Sequence, residues 1–295
     1  ISDSKIDDLS PLFGMHNLKY LNASNTKVSD LTPLSNCKNL RELNIENTKV
    51  KSLQPLYGLG SIVKIYADGT SVTSQDVIEL KKIHRQITVI YQTELLRQWW
   101  GNLDDTWRDI FNSHLLCNSN PTPEQLQNII DIESIVIEPT SSVYTLEPLS
   151  QMFFLKKLIV NNNLIADLSP LHDKYFLEVL SFVGNPVDNI LPLSNLNSLI
   201  NLNMENTPVS DLNPLATLNN IQVLNIGGTF VRNLKPLAEF DKLEDLSIIN
   251  TGIKSVIVLE NLPSLKYLKA YRTKIKSKSI ELLKMKNPDL NVVYY

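Results

Sequence analysis

The chain has 295 residues, enough for one large domain or two ordinary ones. Hydrophobic residues make up 43% and charged residues 20%, an ordinary globular composition, and the net charge of −3 lacks the Lys and Arg surplus that a nucleic-acid backbone demands. Two cysteines, Cys37 and Cys117, are too few for a disulfide-dense scaffold, and no apolar run approaches the roughly 20 residues that cross a bilayer.

Along the chain the first feature is a repeat. Pro-Leu pairs fall at Pro11-Leu12, Pro33-Leu34 and Pro55-Leu56, each 22 residues after the last. They resume at Pro148-Leu149, Pro170-Leu171, Pro192-Leu193, Pro214-Leu215 and Pro236-Leu237, and Val258-Leu259 holds the next slot. A second marker keeps the same step, from Thr26-Lys27-Val28 and Thr48-Lys49-Val50 to Thr251-Gly252-Ile253 and Thr273-Lys274-Ile275. One full turn reads Leu31, Leu34, Cys37, Leu40, Leu43, Ile45, Val50. Cys37 therefore takes a leucine slot, shared with Met15, Leu59, Leu196, Leu218, Phe240 and Leu262, and reads as core filler.

This register resembles the leucine-rich-repeat family, specifically its 22-residue bacterial class typified by internalins. Leu199, Leu202, Met204, Thr207, Val209, Asp211, Leu212, Pro214 and Leu215 carry the likeness. It spans residues 1–92 and about 132–295. The resemblance implies an α/β fold: a right-handed solenoid with a parallel β-sheet on its concave face, short 3-10 or turn segments on its convex face, and helical caps. In the family an Asn commonly fills the slot that is mostly Thr here. A hydroxyl has fewer bonding sites than an amide, so the ladder between turns is expected to be thinner except at Asn163 and Asn185.

The physics of the repeat agrees. A single turn cannot hide its own apolar interior, and stacking covers it. The Leu43-Asn44-Ile45 alternation predicts a short strand with Leu43 and Ile45 inward. Proline lacks an N–H and restricts the residue before it, so its slot belongs on the side where no strand ladder needs a donor.

The register breaks between Pro55 and Pro148. Residues 70–92 echo the end of the chain: Val77, Leu80, Ile87, Val89 and Tyr91 align without a gap with Ile280, Leu283, Leu290, Val292 and Tyr294. Each copy predicts an amphipathic helix followed by a final strand, Thr88–Tyr91 and Asn291–Tyr294, which would cap an array. Two caps imply two arrays, at 1–92 and 132–295. Between them, residues 93–131 place Leu95, Leu96, Trp99, Leu103, Trp107, Ile110, Phe111 and Leu115 at helical spacing, with a break near Gly101-Asn102. After a loop at Asn118 to Pro123, Thr122-Pro123-Glu124 opens a further helix. This module predicts an N-terminal cap whose tryptophans cover Ile132, Ile135 and Leu155. Trp100 lies beside the helical stripe and is expected to be exposed. Asp3 to Ile6 already occupies the Thr-x-Val slot, so the natural protein is expected to extend N-terminally.

Catalytic patterns are not visible. His16, His84, His114 and His172 lack metal-ligand spacing, and neither a Gly-rich phosphate loop nor a nucleophile elbow occurs. Asp30, Asp167 and Asp211 share one repeat slot and read as turn residues bonding nearby backbone. No enzymatic activity, metal or cofactor is expected.

Binding is the expected function. Three outward positions per turn line the concave sheet, and the fold does not require them to be apolar. In the second array they include Ile159, Val179, Val183, Asn203, Val223, Asn225, Ile249, Tyr267 and Tyr271; in the first, Tyr20 and Tyr66. Exposed apolar surface and tyrosine mark interaction sites. A protein or peptide partner on the second array is therefore expected, with no nucleic acid, no membrane insertion and a monomeric chain. Glu42, Glu46 and Asp68 against Lys64 suggest a basic partner for the first array. The alternatives are a structural spacer and carbohydrate recognition, the latter disfavoured by an aromatic content of 7%.

Overall fold

A computed structural model describes residues 1–115, 120–139 and 142–294. Cys117 and part of the loop expected at Asn118 to Pro123 lie outside the described residues. The chain divides into two compact units, one of residues 1–104 and 111–129, the other of residues 105–110 and 130–295.

The first unit carries a four-stranded parallel sheet in sequential order: β1 (Tyr20–Asn22), β2 (Glu42–Asn44), β3 (Lys64–Tyr66) and β4 (Thr88–Ile90). The register from β1 to β3 is the repeat itself, with Leu21 beside Leu43 and Leu43 beside Ile65. The second unit carries eight parallel strands, again in chain order: β5 (Ser134–Val136), β6 (Lys157–Ile159), β7 (Val179–Ser181), β8 (Asn201–Asn203), β9 (Val223–Asn225), β10 (Asp245–Ser247), β11 (Tyr267–Lys269) and β12 (Asn291–Val293). Strands β5 to β11 put their middle residue inward. Ile135, Leu158, Leu180, Leu202, Leu224, Leu246 and Leu268 are all fully buried.

Proline sets the opposite side of each turn. Thr32–Leu34, Gln54–Leu56, Ser169–Leu171, Leu191–Leu193, Asn213–Leu215 and Lys235–Leu237 are 3-10 turns with Pro in their opening positions, where no N–H is required. The repeated carboxylates cap them. Oδ1 of Asp30, Asp167 and Asp211 accepts the N–H of Thr32, Ser169 and Asn213 at 2.8, 2.8 and 2.9 Å. Cys37 is fully buried, as its leucine slot requires. Met15 in the same slot is 48% exposed, because its turn is covered from one side only.

A helix followed by a final strand forms at both expected positions. Helix α1 (Ser74–Ile83) precedes β4 and α5 (Ser277–Lys286) precedes β12, with Val77, Leu80, Ile280 and Leu283 buried. Helix α1 opens with a capping box between Thr73 and Asp76, whereas Lys276 gives α5 no side-chain cap. Helices α2 (Thr93–Asn102), α3 (Asp105–His114) and α4 (Pro123–Ile130) follow β4.

One recurring feature escaped the sequence reading. The residue just before the Thr/Asn slot is left-handed in nearly every turn: Asn25, Asn47 and Gly69, then Asn162, Gly184, Asn206, Gly228, Asn250 and Arg272, with φ between 52° and 68°. L-residues other than Asn and Gly rarely adopt this region. The signal was present as an Asn or Gly every 22 residues.

Candidate functional site

The outward positions of the second unit's sheet form three rows. The first runs Lys157, Val179, Asn201, Val223, Asp245, Tyr267, and the second runs Val136, Ile159, Ser181, Asn203, Asn225, Ser247, Lys269, by direct strand register. The third continues each chain two residues further, as Asn161, Val183, Glu205, Gly227, Ile249 and Tyr271.

The apolar positions do not form one strip. Val136, Ile159, Val179 and Val183 gather around the small, buried Ser181 at one end. Ile249, Tyr267 and Tyr271 gather at the other, with Tyr267 50% and Tyr271 36% exposed. Val223 stands between, flanked in its row by Asn201 and Asp245. Sequence reasoning missed Val136, although the Ile135-Val136-Ile137 alternation was there to find it.

The middle of the face is polar and already bonded. Oδ1 of Asn203 accepts the N–H of Glu205 at 3.1 Å, and Oδ1 of Asn225 accepts the N–H of Gly227 at 3.0 Å. Nδ2 of Asn225 donates to Glu205 Oε2 at 2.9 Å. Asn203 and Asn225 thus serve the strand ends as well as facing outward. Lys269 Nζ stands 3.4 Å from Asp245 Oδ2.

In the first unit Tyr20 is 60% exposed. Tyr66 is half-buried beneath Lys64, whose Nζ lies 5.3 Å from the ring centroid. Lys64 is also held by Glu124 of α4 at 2.9 Å. Asp68 is consumed at the start of α2, where its carboxylate accepts the Thr93 N–H at 2.8 Å and the Thr93 hydroxyl at 2.5 Å. Only Glu42 and Glu46 remain of the acidic surface expected there, and Glu46 already accepts from Asn44 Nδ2. Trp100 overturns its expectation: it is 5% exposed, with Trp99 and Phe111 centroids at 6.3 and 6.5 Å. Leu95, expected inside, is 58% exposed. A single-helix stripe misplaced both, because α2 meets its aromatic neighbours on the Leu96–Trp100 side.

The Thr/Asn slot behaves as its chemistry dictates. Thr26, Thr48, Thr207, Thr229 and Thr251 each donate to a carbonyl three residues back in the same turn. Asn163 and Asn185 instead reach the previous turn, accepting the N–H of Val143 and of Ile165 at 2.9 Å each, and Asn185 Nδ2 also donates to the Val160 carbonyl at 2.6 Å. Among the described residues no cluster of three His, Cys, Asp or Glu could hold a metal, and no helix is long and apolar enough to cross a membrane.

Comparisons with known proteins agree with this geometry. The profile described as leucine-rich repeats (two copies) matches residues 16–58. The fold is a leucine-rich-repeat solenoid. It is similar to that of an internalin from Listeria monocytogenes, with 22% identity, a TM-score of 0.52, and coverage of 98% of this chain and 77% of that one. A leucine-rich-repeat protein of Leptospira interrogans covers 96% of this chain and 74% of its own, with 16% identity and a TM-score of 0.50. No curated protein matches in the sequence comparison. Leucine-rich repeats here supply a parallel sheet with an open face, a frame commonly used for protein interaction.

Proposed function

We propose that the protein is a non-catalytic interaction module whose second-unit sheet face binds a protein or peptide. The observation that carries this reading is the pair of apolar groups, Val136–Ile159–Val179–Val183 and Ile249–Tyr267–Tyr271, set on outward positions that the core does not use. β-branched residues suit strands anywhere, but exposed tyrosines offering area with a polar tip favour an interface. The polar centre between the groups gives a partner directional contacts and two apolar anchors, an arrangement in which a few residues carry most of the affinity. The test is capture of partners by the intact chain against a Val223→Glu, Tyr271→Ala double variant. Loss of capture with a nearly unchanged melting temperature supports the reading, and undiminished capture rejects it.

A further inference from the structure

The loop edge of the second unit, where the strands end, is electrically divided. Residues 162–167, 184–189 and 206–211 occupy one slot in three successive turns and hold Asp167, Asp188 and Asp211 but no cation. The same slot in the next three turns, 228–233, 250–255 and 272–277, holds Arg232, Lys254, Arg272, Lys274 and Lys276 but no carboxylate. All five cations are exposed. Ion pairs nearby use other residues, Lys266 with Glu244, Lys269 with Asp245 and Lys286 with Glu260. None of the five has an ionic or hydrogen-bonding side-chain partner among the described residues. In a chain of net charge −3, that concentration is not a by-product of composition.

Two further observations fall on the same edge. Phe230, in the first of the three basic turns, is 64% exposed. It stands between two open recesses, one of about 450 Å³ lined by Ser210, Phe230, Arg232 and Asn233, the other of about 570 Å³ reaching Gly252, Arg272 and Lys274. Arg272 occupies the left-handed slot, φ 55°, that the preceding turns fill with Asn250 and Gly228. A non-glycine, non-asparagine residue there carries a backbone penalty, so the fold gains nothing from arginine at this position.

We propose that this edge binds an acidic peptide segment of a partner protein, with carboxylates on Arg232, Lys254 and Arg272 and one apolar side chain against Phe230. Arginine offers carboxylates a two-pronged fork. Equivalent slots on neighbouring turns are about 4.8 Å apart, so the three basic loops span about 10 Å, the reach of three or four extended residues. The phenyl ring at one end of the basic loops gives an apolar subsite that a purely sulfated or phosphate polymer does not use. The three Asp-bearing loops that follow along the edge repel a long polyanion and set the direction of a short segment. This site is separate from the sheet face and does not depend on it.

The probe is a fluorescein-labelled peptide, Asp-Glu-Leu-Phe-Glu-Asp, titrated against the intact chain by anisotropy. Binding is expected to weaken as added salt shortens the screening length below about 8–10 Å. The comparison variant is Arg232→Ser, Lys254→Asp, Arg272→Asn, which installs residue types that other turns of the second unit already carry in the same slots, at Ser210, Asp188 and Asn250. It should fold as well as the parent and bind roughly tenfold or more weakly. Phe230→Ala should weaken binding several-fold without altering the salt dependence, and Val223→Glu on the sheet face should leave it unchanged. Equal binding by the triple variant overturns the proposal. So does a sulfated hexasaccharide that binds as tightly as the peptide regardless of Phe230, which marks a general polyanion patch. A dimer in light scattering that the triple variant abolishes overturns it in favour of a second copy of the chain.

Discussion

Nζ of Lys174 lies 2.5 Å from Oδ1 of Asp173, with the lysine side chain entirely sealed from solvent. The backbone carbonyl of Ser150 accepts from the same nitrogen at 3.1 Å, and the Phe153 ring lies 5.0 Å away. Neighbouring turns fill this slot with Met152 and Leu196. Removing a buried charge in favour of an apolar residue of similar volume is commonly neutral or stabilising, whereas removing one partner strands the other. Lys174→Met is therefore expected to leave stability unchanged or raise it by about 1–3 kcal/mol. Asp173→Ala is expected to lower it by about 2–3 kcal/mol, less than for a fully buried pair because Asp173 is partly exposed. Urea denaturation of the two variants decides it. A Lys174→Met loss larger than that of Asp173→Ala would contradict the account.

The same lysine gives an alkaline signature. Burial holds its ammonium pKa below the usual lysine value, opposed by the Asp173 carboxylate. Between the lowered folded value and the ordinary unfolded one, the unfolded chain binds more protons, so stability rises with pH across that window. Asp8, Asp30 and Asp167 act in the opposite range. Hydrogen bonds from Ser10, Thr32 and Ser169 hold their carboxyls below the ordinary value. Their contribution is present above the unfolded carboxylate pKa and disappears as pH falls through the folded one. Relative to Lys174→Met, the parent should gain thermal stability only as pH rises through the alkaline window, and Asp30→Asn with Asp167→Asn should flatten the acid limb slightly.

A side chain at Gly228 requires the Asn206 side chain to move. The glycine's φ is 68°, and an added Cβ would stand 2.1 Å from Oδ1 of Asn206. Gly228→Ala is expected to lose roughly 2–3 kcal/mol from backbone strain and the forced shift. Gly60→Ala is the matched control, since its Cβ meets nothing within 4 Å. That change should stay within about 0.5 kcal/mol. Equal effects of the two would mean that the left-handed slot is not what constrains the turn.

Asn185 and Thr229 separate inter-turn from intra-turn bonding. Asn185→Thr loses an acceptor for the Ile165 N–H and donors to the Val160 and Phe182 carbonyls. It is expected to destabilise by about 2–3 kcal/mol, against about 1 kcal/mol for Thr229→Ala, which removes one bond within its own turn. Hydrogen exchange at Ile165 should accelerate in the first variant and not in the second.

Trp100→Ala tests the aromatic packing of α2. A buried ring replaced by a methyl group should cost about 3–5 kcal/mol. An exposed tryptophan would lose almost nothing, so a stable Trp100→Ala chain would restore the reading from helical spacing.

Much of the fold was legible because the repeat copies its own constraints. The Pro-Leu register located the 3-10 turns at Thr32–Leu34 and Asn213–Leu215, and period-2 alternation put Leu43, Leu202 and Leu224 inward. The bonding role of Asp30, Asp167 and Asp211 and the contrast between Thr and Asn followed from side-chain chemistry alone. Legibility failed where one turn departs from its neighbours. Lys174 sits in a leucine slot, and apolar patterning passes over a lysine. Trp100 is buried by residues remote in sequence, beyond the reach of a single-helix stripe. The outward rows were legible as positions, but their division into two apolar groups required the strand register. The charge division of the loop edge was written in the sequence as well, and it gains meaning only when 22-residue steps become neighbours in space.

The threonine slot bears on how such a chain changes length. A threonine whose hydroxyl closes on its own turn's carbonyl needs no side-chain partner in the turn before it, so one copy inserted or lost between Thr207 and Thr251 leaves every such bond intact. The stretch around Asn163 and Asn185 is laced to its predecessors and resists the same edit. Copy number in this architecture is therefore freest in its later half, and the basic edge built there can be lengthened or shortened one rung at a time.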